Sequence, residues 1–193
     1  MYLENSKAIY IATQRVASTS IQESLLRNID EDSIGHQDLV NYEQAEDKYG
    51  KPALNKNFVF SFVRNPWDRM VSIFFHQAGT NPKLLYSTGA RTFEDFVNEV
   101  TQNRLGTLHD LCHTQVSMLK NKFSDIRLDY TGRFEELNRD YKTVCEAISI
   151  EPIRLRKLNQ SNHFNYKHYY NDDLKSKVAR FFEEDIDTFK YVF

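Results

Sequence analysis

The chain has 193 residues, of which 40% are hydrophobic and 27% are charged, and its formal net charge is -2. This composition predicts a soluble protein with a single domain over residues 1–193, and it excludes a disordered or membrane-spanning chain. The small net charge argues against broad binding to nucleic acid or to an anionic membrane, so any basic site has to be local. We expect a cytoplasmic location, because no charged and apolar leader precedes the first predicted strand.

The first predicted strand runs into a polar turn at the start of a helix. Residues 8–12 are apolar, and residues 14–20 read Gln-Arg-Val-Ala-Ser-Thr-Ser. One cation, Arg15, and three hydroxyls, Ser18, Thr19 and Ser20, therefore lie where unpaired backbone N–H groups favour an anion. The pattern predicts a phosphate-binding loop. An ordinary connection with Ser18 as the helix N-cap stays open as the alternative, because the loop contains no glycine.

The next segments lead to a second junction of the same kind. Ile34-Gly35-His36 reads as an exposed connection, residues 42–50 as a weak helix, and residues 57–64 (NFVFSFVR) as a central strand buried on both faces. Asn65 is then a good N-cap and Pro66 suits the first helical position. Arg64 ends the strand, where its guanidinium can hold a phosphate through two hydrogen bonds or can form a structural ion pair.

The helix after Arg64 separates into two faces. Arg69, Ser72 and His76 share a polar face, since they are spaced three and four residues apart. Ser72 can therefore donate a hydroxyl toward an anion beside Arg64. We expect both junctions to face one cleft.

The remaining elements continue the alternation of strands and helices. Residues 79–91 read as a loop, Thr92-x-x-Asp95 opens a helix, and residues 108–120 form another. A strand follows over residues 125–133, and a closing helix over residues 172–187. This alternation predicts a three-layer α/β fold with a mainly parallel sheet, in which ligands bind beyond the carboxyl ends of the strands.

Together, the two junctions resemble the sulfotransferases that use 3′-phosphoadenosine 5′-phosphosulfate (PAPS), in particular the carbohydrate branch with the heparan sulfate 2-O-sulfotransferases. Residues 14–20 are similar to that family's 5′-phosphosulfate loop, and residues 63–75 (VRNPWDRMVSIFF) to its 3′-phosphate motif. Residues 132–135 and the closing segment are also similar to family segments. The resemblance implies a P-loop-like fold, PAPS as donor, its dephosphorylated form PAP as product, and no metal.

The resemblance also implies roles for individual residues. Arg15, Val16, Ala17, Ser18, Thr19 and Ser20 would surround the 5′-phosphosulfate, Arg64 and Ser72 would hold the 3′-phosphate, and Arg156 would belong to the loop that closes over the nucleotide. His36 lies where such enzymes place a catalytic histidine. The family usually has lysine where this chain has Arg15, so a planar guanidinium group replaces the compact charge of an ammonium group. The implied partner is an acceptor hydroxyl on a carbohydrate, while the acceptor's identity and the oligomeric state stay open.

Three other interpretations compete with this one. His109, Cys112 and His113 could ligate zinc, although no fourth ligand lies at a suggestive spacing. A P-loop nucleotide kinase would need the pattern G-x-x-x-x-G-K-[ST], which the sequence lacks. A binding module that keeps the nucleotide cleft without catalysis stays open. The two cysteines, Cys112 and Cys145, lie among apolar residues and indicate buried thiols without a required disulfide.

Overall fold

The computed structural model describes residues 1–28, 34–36, 38–104, 111–123, 125–158 and 163–193. They divide into two compact units. The sheet unit comprises Met1–Val63 and Gln115–Leu158, and the helical unit comprises Arg64–Thr114 and Asn159–Phe193.

All strands of the described residues belong to the sheet unit. In chain order they are β1 (Tyr2–Leu3), β2 (Ala8–Tyr10), β3 (Ile34–His36), β4 (Phe58–Val63) and β5 (Tyr130–Arg133). They form a five-stranded sheet in the order β3-β1-β2-β4-β5. Strands β2, β4 and β5 are parallel, while β1 is antiparallel to both of its neighbours. The expected mixed α/β fold with a mainly parallel sheet is confirmed.

The α-helices of the described residues are, in chain order, α1 (Ser18–Asn28), α2 (Tyr42–Tyr49), α3 (Lys51–Lys56), α4 (Pro66–Thr80), α5 (Pro82–Ser87), α6 (Phe93–Thr101), α7 (Gln115–Leu119), α8 (Leu137–Ala147), α9 (Asp172–Phe181) and α10 (Glu183–Phe189). Helices α1, α2, α3, α7 and α8 belong to the sheet unit, and the others belong to the helical unit. No helix in these described ranges is both long and apolar enough to cross a membrane.

Strand β4 is central because its side chains are apolar on both faces. Five of its six residues are buried, and the rings of Phe60 and Phe62 pack edge to face at 6.4 Å. On β5, Gly132 lies opposite Phe62 in the parallel register. A Cβ atom at Gly132 would lie 2.4 Å from the Phe62 ring, so this close strand pairing requires glycine.

Several local signals are confirmed. The Asn65 side chain accepts a hydrogen bond from the Trp67 N–H with Pro66 at the first helical position, and Thr92 and Asp95 form a reciprocal capping box. Cys112 and Cys145 are buried free thiols.

Other element predictions were wrong in their bounds or type. Ile34–His36 is a strand, because its backbone pairs with β1 instead of forming an exposed connection. The segment predicted as a loop over residues 79–91 contains α5, whose first turn begins with Pro82. The closing helix is interrupted at Phe182, whose backbone (φ -107°, ψ 27°) leaves helical geometry.

The strand and helix predicted between residues 108 and 133 are shorter in the structure. Strand β5 covers Tyr130–Arg133, because Ile126 instead forms an isolated antiparallel bridge with Lys120. The helix predicted over residues 108–120 covers Gln115–Leu119, and residues 105–110 lie outside the described residues.

Candidate functional site

The turn between β2 and α1 contains two residues with left-handed backbones. Arg15 and Ala17 have left-handed backbones, with φ of 62° and 59°. Such angles are uncommon outside glycine and persist where neighbouring contacts enforce them. Backbone N–H groups that converge in such turns form concave anion sites, and here the helix α1 starts directly after the turn.

Two short hydrogen bonds fix the ends of this turn. The Thr13 hydroxyl donates to the Phe62 carbonyl oxygen of β4 at 2.6 Å, and the Ser18 hydroxyl donates to the Thr13 carbonyl oxygen at 2.6 Å. Just before, the Ile11 N–H donates to the Phe60 carbonyl oxygen. Thr13 therefore continues the β2–β4 pairing through its side chain, which anchors the turn to the sheet at the carboxyl end of β4.

The three predicted hydroxyls have different environments. The Ser18 hydroxyl donates to the Thr13 carbonyl oxygen and so closes the turn, and α1 already begins at Ser18, which places this residue inside the helix and not at the cap position before it. Ser20 is buried, and its oxygen accepts a hydrogen bond from the Leu158 N–H at 3.4 Å. Thr19 is exposed at the start of α1. Only part of the Ser-Thr-Ser run is thus presented to solvent.

The segment around Arg156 lies along α1. Arg156 Nη1 donates to Glu23 Oε1 at 2.7 Å, and the Ser24 hydroxyl donates to the Ile153 carbonyl oxygen at 3.3 Å. Together with the bond from Leu158 to Ser20, these contacts hold residues 153–158 beside the first half of α1. The structure therefore brings Arg156 to the same helix as the predicted phosphate loop, although sequence spacing gave no sign of its pairing with Glu23.

Arg64 and Ser72 belong to the helical unit. Arg64 is buried, and its Nε donates to Asp68 Oδ2 at 2.8 Å, one helical turn later. The structural ion pair considered for Arg64 is therefore present. Ser72 is also buried and lies one further turn along the same face of α4. The ion pair fixes the guanidinium relative to that face.

A buried arginine on this helix, Arg69, was not predicted to stabilise the fold. Arg69 is completely buried and donates to the carbonyl oxygens of His113 at 2.8 Å and Leu111 at 3.2 Å. Burial lowers the pKa of Arg69, and the nearby carboxylate of buried Asp185 opposes that shift. Since Asp185 is distant along the chain, no local spacing could have indicated this electrostatic interaction.

The described residues do not test the roles predicted for His36 and His109. His36 is the last residue of β3, and its backbone pairs with Tyr2, whereas its side chain is not described. Its role as a base stays a prediction. His109 of the possible zinc cluster lies outside the described residues, and burial raises the pKa of the Cys112 thiol to about 12. Within the described ranges, no group of three or more His, Cys, Asp or Glu could hold a metal ion.

Comparison with known proteins identifies the family. The model of the "Sulfotransferase family" matches residues 1–192. No curated protein and no solved structure matches the chain. Because the family match covers nearly every residue and includes the loop that follows β2, the chain belongs to the sulfotransferase family.

Proposed function

We propose that this sulfotransferase transfers a sulfuryl group from PAPS to an acceptor hydroxyl on a carbohydrate. The observation that carries the proposal is the turn between Thr13 and Ser18, which contains two left-handed residues and is anchored by hydrogen bonds at the carboxyl end of a parallel strand. One family model spans both compact units, which supports a single functional domain over residues 1–193. The strand, loop and helix arrangement also supports a P-loop-like, three-layer fold.

The turn is assigned to the 5′-phosphosulfate end of the donor, where the bond to the transferred sulfuryl group breaks. The backbone N–H groups from Arg15 to Ser20 would bind the 5′-phosphosulfate, with Thr19 adding an exposed hydroxyl and Arg15 a permanent positive charge. Negative charge develops on the leaving phosphate during sulfuryl transfer, as it does in phosphoryl transfer. A turn whose shape is already fixed by Thr13 stabilises that charge without reorganising.

Arg64 and Ser72 are assigned to the 3′-phosphate of the donor. The pairing of Arg64 Nε with Asp68 supports this role, because it restricts the guanidinium and leaves its orientation set before a phosphate binds. Arg156 is assigned to the nucleotide as well. Its contact with Glu23 is made by an exposed side chain and is weak enough to be exchanged for a phosphate.

His36 is assigned as the base that accepts the proton of the acceptor hydroxyl. A sugar hydroxyl is a poor nucleophile at neutral pH, and a positioned base contributes about 10² to 10⁴-fold to the rate. Replacement of His36 by alanine is therefore expected to lower the transfer rate at saturating acceptor by that order. An unchanged rate would remove His36 from the mechanism and leave the donor site intact.

The test of the proposal is transfer of labelled sulfate from PAPS to a panel of polysaccharides, lipids and small phenols. Label is expected on a polysaccharide. Label on a lipid or phenol alone would contradict the carbohydrate assignment, and binding of PAPS without any transfer would favour the non-catalytic module.

A second test addresses the 3′-phosphate. Arg64→Ala is expected to weaken binding of PAP much more than binding of its 3′-dephospho analogue, and the exposed Arg180 on α9 provides a matched control, Arg180→Ala. Equal losses for the two nucleotides would refute the role of Arg64.

A further inference from the structure

A segment of the sheet unit, residues 153–158, lies along α1 and is called the strap below. The Ser24 hydroxyl in the middle of α1 donates to the Ile153 carbonyl oxygen at 3.3 Å. Nearer the start of α1, the Leu158 N–H donates to the Ser20 oxygen at 3.4 Å. The strap therefore runs toward the N-terminus of α1, and hence toward the turn that is assigned to the 5′-phosphosulfate.

An ion pair joins the strap to α1 between these two hydrogen bonds. Arg156 Nη1 donates to Glu23 Oε1 at 2.7 Å, which is a shorter distance than either hydrogen bond. Hydrogen bonds between charged groups are roughly twice as strong as neutral ones, and N–H···O bonds longer than about 3.2 Å are weak. Glu23 therefore fixes the position of the Arg156 guanidinium beside α1.

The exposure of this ion pair allows Arg156 to exchange its partner. The Arg156 side chain is 60% exposed and that of Glu23 is 28% exposed, and exposed ion pairs contribute little to stability. Leu155, in contrast, packs against the hydrophobic core of the sheet unit. Because Leu155 anchors the strap backbone, the Arg156 side chain can leave Glu23 for another anion without detachment of the strap.

Glu23 is also close to the turn in which a phosphate of the nucleotide is expected. It lies five residues after Ser18, the first residue of α1, which corresponds to roughly 7.5 Å along the helix axis. Charges at such a separation interact across the surface, since the Debye length is about 8 Å at physiological ionic strength. The Glu23 carboxylate and the phosphate are both anions, so they compete for the guanidinium that lies beside them.

We infer that Glu23 is a positioning residue that competes with a nucleotide phosphate for Arg156 and thereby speeds the release of PAP. The inference rests on the proposed function, in which Arg156 binds the nucleotide. PAP keeps a 3′-phosphate and a 5′-phosphate after sulfuryl transfer, so the contacts that bind the donor also retain the product. Product release limits the rate of many enzymes. A carboxylate that takes Arg156 back weakens the hold on PAP once transfer is complete.

The first test is PAP binding to Glu23→Gln, with affinity measured by calorimetry and dissociation by stopped-flow displacement. The variant is expected to bind PAP roughly two- to fivefold more tightly than the wild type, the range set by an exposed ion pair, and to release it correspondingly more slowly. The matched control is Glu4→Gln, which removes one exposed negative charge from the connection before β2, at the opposite edge of the sheet, and leaves PAP binding unchanged. Unchanged or weaker PAP binding by Glu23→Gln would overturn the inference.

The second test asks whether Glu23 acts through Arg156. In an Arg156→Ala background, Glu23→Gln is expected to leave PAP affinity unchanged, because the guanidinium for which the two anions compete is gone. The same gain in both backgrounds would show that the carboxylate repels the nucleotide directly, and this would overturn the inference.

A third measurement needs no variant. PAP is expected to shift the side-chain N–H signals of Arg156 in NMR spectra of the wild-type chain, because the guanidinium changes its partner from Glu23 to a phosphate. Signals that stay in place while PAP binds would overturn the inference and leave the proposed donor intact. A wild-type chain that does not bind PAP would overturn the donor assignment, and this inference with it.

Discussion

Thr13→Val tests whether the turn between β2 and α1 is held by the hydrogen bond between Thr13 and β4. Valine keeps the branched shape but removes the hydroxyl that donates to the Phe62 carbonyl oxygen at 2.6 Å. Thr13 is 1% exposed, so water cannot replace the lost donor, and a buried carbonyl without its donor costs about 1–3 kcal/mol. We expect the free energy of unfolding to fall by about 1–2 kcal/mol, which lowers Tm by roughly 2–4 °C per kcal/mol for a chain of this size.

The matched control is Thr13→Ser, which keeps the hydroxyl and removes only a methyl group. Urea unfolding of both variants measures the difference, and calorimetry with PAP measures its consequence for the turn. Thr13→Val is expected to weaken PAP binding more than Thr13→Ser, because the left-handed backbone at Arg15 and Ala17 is no longer fixed in advance. Equal stability and equal PAP affinity of the two variants would refute the reasoning.

Three further predictions concern the framework. Gly132→Ala places a Cβ 2.4 Å from the buried Phe62 ring and is expected to lower the free energy of unfolding by about 1–3 kcal/mol. Phe62→Leu is expected to relieve part of that loss in the double variant, and a double variant whose loss equals the sum of the two single losses would contradict the clash. Arg69→Met leaves the carbonyl oxygens of His113 and Leu111 without their donor and removes the cation near the buried Asp185 carboxylate. It is expected to cost about 3–5 kcal/mol, whereas a loss below about 1 kcal/mol would show that the buried cation is dispensable. Hydrogen bonds from Thr92 and Arg91 lower the pKa of Asp95 below its ordinary 3.8. The stability that Asp95 adds by capping α6 is therefore complete above pH 3.8 and is lost as the pH falls through the lowered pKa. Amide exchange at the start of α6 is expected to speed up only in that acidic range, and exchange that does not depend on pH after correction for the intrinsic rate would contradict this.

Local signals in the sequence predict the elements around the site well. The apolar run of β4 and the Asn65-Pro66 start of α4 could be identified because strand burial and helix capping depend on neighbouring residues. The turn before α1 could also be identified, because its polar residues directly follow an apolar run.

Contacts between distant parts of the chain could not be predicted in this way. The bond from Thr13 to Phe62 spans 49 residues, and the ion pair of Arg156 with Glu23 spans 133. The short strand β3 was missed for the same reason, because it is formed by pairing with β1 and not by its own composition. The left-handed backbone at Arg15 and Ala17 has no sequence signal either, since glycine normally marks such positions.

The donor proposed for this chain is a nucleotide that carries a 3′-phosphate and a 5′-phosphosulfate. Calorimetry with PAP, ADP and magnesium ATP tests it most directly, because the three ligands share the adenosine and differ in the phosphates. PAP is expected to bind far more tightly than ADP or magnesium ATP. Equal or tighter binding of magnesium ATP would contradict the PAPS assignment and favour a nucleotide kinase.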